Sequence, residues 1–369
     1  MKKLIAVVLV LAMLVVCMAA CGEEKSNSIF IGATGPLTGG AASYGISVKN
    51  GAELAIDEIN KAGGLNGIEL KFDIKDDEAD SEKTGTAYDA LMDDGMQISI
   101  GSVTSGSCRT FADKANEDNL FFMTPSASDA KVVTNKYAFR ICFGDPDQGV
   151  LAAQELVANF TNIGVIYDNS DPYSSGIFAA FETEMKNLNK TYTVMSFDAD
   201  SNRDFSTQVA ALKDCDVIFV PIYYTEAGLI AQEVKKVGSA AVIFGCDGLD
   251  GVAAQIEGKE IPNTIKYITP FDVNGTEEKV ANFVKNYTAK YGVAPDQFAA
   301  DGYDAIYVLF EAMKKAGVDN ADITVEELSE KVYAAITASD FTFTGATGTM
   351  TWNEKGEPVK VPVIVDLSK

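Results

Sequence analysis

The residue types able to hold a small charged molecule stand at the ends of apolar runs. Ser105, in GSVTSGS, follows the strand-like run MQISI and opens a helical pattern through Cys108, Phe111 and Ala115. Its hydroxyl and backbone amide would sit at the positive end of that helix, ready to donate to an anion. Ser128, in TPSAS, follows LFFMT in the same manner. On residue type alone either serine is equally a helix cap or a turn former. Asp247, in FGCDGL after AVIFG, offers the opposite chemistry, an acceptor for a cation, or else an ordinary Asp-Gly turn.

Other chemistries find less support. The glycine-rich stretch TGPLTGGAASYG, residues 34–45, invites a phosphate cradle, but it lacks both GxGxxG and GxxxxGK[ST] and carries no lysine or arginine. Its one aromatic, Tyr44, needs another explanation. DADSNRD suggests a calcium loop through Asp198, Asp200, Asn202 and Asp204. Arg203, however, stands where glycine is required and Val209 where the bidentate glutamate belongs, so Asp204 reads as an N-cap. Histidine is absent, which removes the commonest general base and leaves a nucleophile such as Ser105 without its usual partner. No cysteine lies in a CxxC pair, so neither a zinc nor a redox motif is expected, and Cys108, Cys142, Cys215 and Cys246 read as buried free thiols.

The elements that must position these residues alternate. SIFIGAT, ELKFDIK, MQISI, LFFMT, IGVIY, YTVMSF, DVIFVPI, AVIFG and IKYIT are strand candidates with amphipathic helical patterns between them, the order of parallel α/β lobes. In the first helix Val48, Ala52, Ala55, Ile56 and Ile59 share one face opposite Lys49, Glu53, Asp57, Glu58 and Lys61, and Gly63 and Gly64 end it. A chain of 369 residues predicts two lobes, since single cores seldom grow past roughly 250–300 residues. In such sheets ligands bind beyond the carboxyl ends of the strands, so the loops after strands are where a site belongs.

Composition limits the partners. A formal net charge of −23 disfavours nucleic acid and anionic lipid surfaces. The start, MKKLIAVVLVLAMLVVCMAACGEEKSNS, has two lysines, an apolar run and small residues before Cys21, the pattern of a secretory signal peptide over residues 1–20. MAAC resembles a bacterial lipobox, which makes Cys21 a lipidation site, with residues 21–28 a polar tether and the folded part outside the cytoplasmic membrane.

ATGPLTGGAASYGISVKNGAELAIDEINKAGGLNG resembles the N-terminal signature of the branched-chain amino acid binding family, the class I solute-binding proteins of ABC importers. The resemblance runs on through GSVTSGS, MTPSASDA, FRICFGDPDQG, YDNSDPYSSG, DADSNRDFSTQV, PIYYTEAG, FGCDGL and GTMTWNEKGEP, in order along essentially the whole mature chain. It implies a type I periplasmic binding protein fold, two Rossmann-like lobes with parallel-rich sheets joined by a three-segment hinge. The crossings fall near Arg140–Gly144, Tyr267–Phe271 and Phe341–Thr351, giving lobe 1 residues 29–142 plus 271–340 and lobe 2 residues 143–270 plus 341–369.

The resemblance also assigns roles. Ser105 and Ser128 fall at carboxylate-binding positions, with Ser126 and Ala127 contributing backbone groups and Val103 apolar lining. Tyr173 and Tyr223 match cleft positions, with Tyr224 the alternate if the register slips by one, and Tyr44 matches an aromatic wall. Asp247 lies where members carry an acidic residue, often the longer Glu, for the ligand ammonium. The implied function is noncatalytic, cofactor-free binding of a small, aliphatic amino acid by hinge closure, with delivery to an ABC permease by a lipid-anchored monomer. Rival expectations are an amide, urea-like or aromatic acid ligand, a sensor that reports to a receptor, and a secreted hydrolase using Ser105.

Overall fold

The computed structural model describes residues 27–259, 261 and 264–368; the signal-peptide and Cys21 readings lie outside them. The first sheet contains β1 (Ser28–Gly35), β2 (Glu69–Asp76), β3 (Ile98–Ser102), β4 (Phe122–Thr124) and β5 (Ala138–Arg140), all parallel in the order β2-β1-β3-β4-β5. Parallel neighbours need crossovers, and α1 (Ala42–Lys61), α2 (Ser81–Asp93) and α3 (Ser105–Glu117) supply them. Strands β3, β4 and β5 are buried along their whole length, as strands covered on both faces must be. The strand order reverses between β1 and β3, so the loops leaving these two strands part and leave a crevice at their carboxyl ends.

The chain then crosses to the second lobe, where α4 (Asp145–Asn159) packs on α5 (Pro172–Asn187). Its sheet takes β6 (Ile163–Asp168), β7 (Thr193–Phe197), β8 (Val217–Val220), β9 (Val242–Gly245) and β10 (Ile265–Thr269), interleaved with α6 (Ser206–Ala211), α7 (Tyr224–Lys236) and α8 (Val252–Ile256). Here the order reverses between β6 and β8, a second crevice facing the first. After β10 the chain returns to the first lobe through α9 (Glu278–Tyr291), α10 (Gln297–Lys315) and α11 (Val325–Ile336). Gln97 donates to the Ala321 and Ile323 carbonyls at 2.9 Å each, and Phe121 N–H to the Ser329 hydroxyl at 2.8 Å, tying this return to β3 and β4.

The last part of the chain departs from the expected boundary. Strands β11 (Phe343–Gly345), β12 (Gly348–Trp352) and β13 (Pro358–Val359) form a small antiparallel sheet on the first lobe, although residues 341–369 read as second-lobe chain. The Asp304 carboxylate of α10 accepts from the backbone of Ala346 and Thr347, and Trp352 Nε1 donates to the Arg140 carbonyl at 2.7 Å. Only at β14 (Val363–Asp366), antiparallel to β10, does the chain join the second sheet, so the third crossing lies at residues 360–362.

Two glycines set how closely the first-lobe helices approach. A Cβ on Gly51 of α1 would stand 1.9 Å from the Ala299 carbonyl oxygen of α10, and one on Gly302 of α10 would stand 2.6 Å from that of Val48. The backbones therefore touch, which brings the N-terminal turns of α1 and α10 side by side at the crevice. Asp296 caps α10 by accepting from Ala299 N–H, and Asp171 caps α5 through Ser174 N–H. In DADSNRD, Asp198 accepts from Asp200 N–H and the Ser201 hydroxyl, and Asp204 from Ser206 N–H. The four cysteines among the described residues are free thiols, three of them buried, and burial pushes Cys108 up to about 12.

Candidate binding cleft

The two crevices close on each other. Val103, Thr104 and Ser105 follow β3, Ser126 follows β4, and Phe298 opens α10 on one wall; Tyr173 follows β6, Tyr223 follows β8, and Asp247 and Gly248 follow β9 on the other. With Tyr44 they line a cavity of about 10 Å³, room for one water. A larger groove of about 610 Å³ crosses the first lobe, but its carboxylates are already held: Glu58 by Tyr303, Tyr307 and Asn286, Asp304 by the Ala346 and Thr347 amides, Glu311 by Lys314 and Asp340 by Lys315.

Tyr44 is not in the glycine loop. It lies on the first turn of α1 and is fixed there rather than free to adjust. Its hydroxyl donates to the Gly248 carbonyl at 2.5 Å and accepts from Tyr224 N–H at 3.1 Å, both across the cleft. Its ring stacks on Phe298 with centroids 4.1 Å apart and meets Tyr223 and Tyr224 edge-on. Tyr223 in turn stacks on Tyr173 at 5.1 Å. Tyr224 therefore belongs to the aromatic hub, while Tyr223 is the one in the cavity wall.

On the second lobe Asp247 is buried at 4 % exposure on a short 3-10 turn, Asp247–Leu249. Tyr173 donates its hydroxyl to the Asp247 carboxylate at 2.8 Å and accepts from Gly248 N–H at 2.8 Å, while Asp247 N–H donates to Gln148 at 3.1 Å. Burial raises the Asp247 carboxyl to about 6, against the opposing effect of its Tyr173 and Gln148 hydrogen bonds. Neighbouring Asp145 is also buried, its carboxyl pushed well above the usual carboxylate range by burial, first of all.

On the first lobe Ser105 Oγ accepts from Asp129 N–H at 3.2 Å, which leaves its own proton available. Thr104 beside it has a buried hydroxyl without a partner. Ser126 donates to the Val103 carbonyl at 2.7 Å. Ala127 and Ser128 sit one step behind the cavity wall, and Ala127 N–H is already donated to the Thr124 hydroxyl at 3.0 Å. The Ser128 hydroxyl is buried beside the Asp145 carboxyl. Arg140, fully buried, props this loop from below by donating to the Ala127 and Asp129 carbonyls at 3.2 and 3.0 Å, with Glu357 balancing its charge.

Thr104, Gly248 and Phe298 were not singled out from sequence. Thr104 carried a signal, as the residue entering a helix in GSVTSGS, whereas Phe298 lies far along the chain and reaches the cleft only through the close packing of α1 and α10. Among the described residues no lysine or arginine lines the cavity. One wall thus offers neutral hydroxyls at a helix N-terminus and the other a carboxylate, the polarity that complements a zwitterion.

Residues 28–363 match the family described as periplasmic binding protein. The chain belongs to that family. This periplasmic binding protein is 28 % identical over 331 residues to the Leu/Ile/Val-binding protein BraC3 of Rhizobium johnstonii, covering 88 % of this chain and 89 % of the relative. The solved leucine binding protein LivK of Thermotoga maritima superposes with a TM-score of 0.81 at 27 % identity, covering 91 % of this chain and 94 % of that one. The branched-chain amino acid transporter substrate binding protein LivJ of Streptococcus pneumoniae, solved with isoleucine, gives 0.78 at 26 % identity, with coverages of 92 % and 99 %. The two-lobed, parallel-rich α/β architecture is that of a type I periplasmic binding protein.

Proposed function

We propose that this protein binds a small zwitterionic amino acid, branched-chain or otherwise aliphatic, between its lobes without chemical turnover. The ligand carboxylate meets Ser105, Thr104 and the backbone amides opening α3. The ammonium meets Asp247, and Tyr44, Tyr173, Tyr223, Phe298 and Val103 cover the side chain. One observation carries this reading: a buried carboxylate faces hydroxyl donors across a cavity whose wall, among the described residues, holds no cation. An ammonium supplies the missing positive charge. The names of the relatives support the branched-chain class.

Closure follows from the same arrangement. Only the closed form touches both poles of the ligand, so binding free energy shifts the population from open to closed. The cavity has room for one water, so ligand enters with the lobes apart and the two walls close around it. Tethered through a lipid on Cys21 outside the cytoplasmic membrane, the closed monomer delivers the amino acid to the membrane subunits of an ABC permease. Titration calorimetry with a panel of leucine, isoleucine, valine, alanine, benzoate and urea tests the assignment. Saturable heat with the aliphatic amino acids supports it; saturation by benzoate or urea alone overturns it.

A further inference from the structure

The N-terminus of α10 is capped twice, once from its own lobe and once from the other. Asp296 accepts from Ala299 N–H at 2.9 Å inside the helix. Asp250, which closes the turn after β9 in the second lobe, accepts from Gln297 N–H at 2.8 Å. Asp250 is itself held by Gly251 N–H at 3.0 Å and the Tyr267 hydroxyl at 3.2 Å. A carboxylate on a helix N-terminus makes a charge-assisted bond favoured by the helix dipole.

The Gln297 side chain extends the contact. It is 1 % exposed; its Nε2 donates to the Asp247 carbonyl at 2.8 Å and its Oε1 accepts from the Thr269 hydroxyl at 2.7 Å, at the end of β10 where the chain leaves the second lobe. A single first-lobe residue therefore grips both ends of the Asp247–Asp250 turn while anchored to one hinge segment. It can do so only when the lobes meet.

We propose that Gln297 and Asp250 are positioning residues for ligand capture. Closure brings Gln297 onto the Asp247–Asp250 turn and fixes the backbone from which the Asp247 carboxylate reaches the ligand ammonium. This rests on the reading of the chain as a closing amino-acid binder, and adds that the acid is locked in place by closure rather than preset in the second lobe. Gln297 does not itself line the cavity; it acts through the turn.

The test uses the full mature chain and the variants Asp250→Ala, Asp250→Asn and Gln297→Leu. Isoleucine and alanine serve as probes in calorimetry, and small-angle scattering reads the compaction that ligand induces. Asp250→Ala and Gln297→Leu are expected to lower affinity about 10- to 100-fold and to blunt compaction. Asp250→Asn keeps an oxygen facing Gln297 N–H but turns its NH2 toward Gly251 N–H, and is expected to fall clearly less than Asp250→Ala, by about 10-fold at most. That rescue separates positioning from a general loss of structure, as does a thermal midpoint for ligand-free Asp250→Ala within about 4 °C of the parent. If the parent binds and compacts and the three variants match it, or if Asp250→Asn falls as far as Asp250→Ala, the positioning role is overturned while the binding function stands. If the parent binds neither probe, the underlying reading and this proposal fall together.

Discussion

Tyr44 and Gly248 belong to opposite lobes, and the Tyr44 hydroxyl donates to the Gly248 carbonyl at 2.5 Å while accepting from Tyr224 N–H at 3.1 Å. One phenol thus satisfies two backbone groups of the facing lobe, next to the residue that offers the carboxylate. Tyr44→Phe keeps the ring stacked on Phe298 and removes only these bonds, leaving a buried carbonyl and amide without a partner in the closed form. The expected cost to ligand affinity is about 1–3 kcal/mol. Calorimetry checks it, and an unchanged affinity would show that water replaces the hydroxyl without loss.

Asp247→Asn retains the shape of the side chain and its bond from Tyr173 but removes the charge that an ammonium requires. Breaking one member of a desolvated charge pair weakens binding by about 2–5 kcal/mol. Thermal melts of the ligand-free variant should move the other way, upward, because a carboxylate buried by the fold is no longer ionised there. Equal affinities for parent and variant would remove Asp247 from the ammonium role.

The pH dependence follows in sign from the same carboxyl. Burial raises Asp247 to about 6 and, with the Asp250 charge adding to it, raises Asp296 to about 7. The unfolded chain releases these protons near pH 4, the folded one only near neutrality. Their contribution to folding stability is therefore fully present below about pH 4 and is lost as pH rises through about 6 to 7; for Asp247 the loss is about 3 kcal/mol. Ligand reverses the sign at Asp247, because an ammonium stabilises its ionised form. Ligand-free protein is expected to melt at a higher temperature at pH 5 than at pH 7, whereas the increase in melting temperature produced by isoleucine should be larger at pH 7. Asp247→Asn should flatten the second trend.

Much of this site was legible because the strand-to-helix junctions are short. A serine placed a few residues after an apolar run and at the start of a helical pattern, as Ser105 is, has nowhere to go but the carboxyl end of the sheet. Tyr44 was legible as a wall but not as helix: Ala41 makes no side-chain cap, and the glycines before it mask where α1 begins. The hairpin through Met350 and Trp352 carries its apolar residues at alternate positions, as any half-buried strand does, and nothing in that pattern names the lobe it packs on. The Arg140 carbonyl and Asp304 decide that, and both lie far away in sequence. Ala127 and Ser128 show the opposite limit. Their place in the loop was readable, but which backbone amide faces the cavity depends on the Thr124 hydroxyl and the Arg140 guanidinium beneath.

The contact between α1 and α10 gives a prediction that reaches the cleft from outside it. Gly51→Ala places a methyl group where the Ala299 carbonyl oxygen now stands 1.9 Å away, so the helices must separate. Overpacking of this kind costs about 1–3 kcal/mol of stability. Because Tyr44 and Phe298 occupy the first turns of the two helices, the separation also loosens their 4.1 Å stack and moves Gln297 off the second-lobe turn. Gly51→Ala is therefore expected to lower both the melting temperature and ligand affinity, although Gly51 touches no cavity atom. Gly40→Ala is the control, since a Cβ there meets nothing within 4 Å. Chemical denaturation and calorimetry on the two variants separate the cases: a Gly51→Ala protein that is destabilised but binds as the parent does would show that the cleft does not depend on how closely these helices pack.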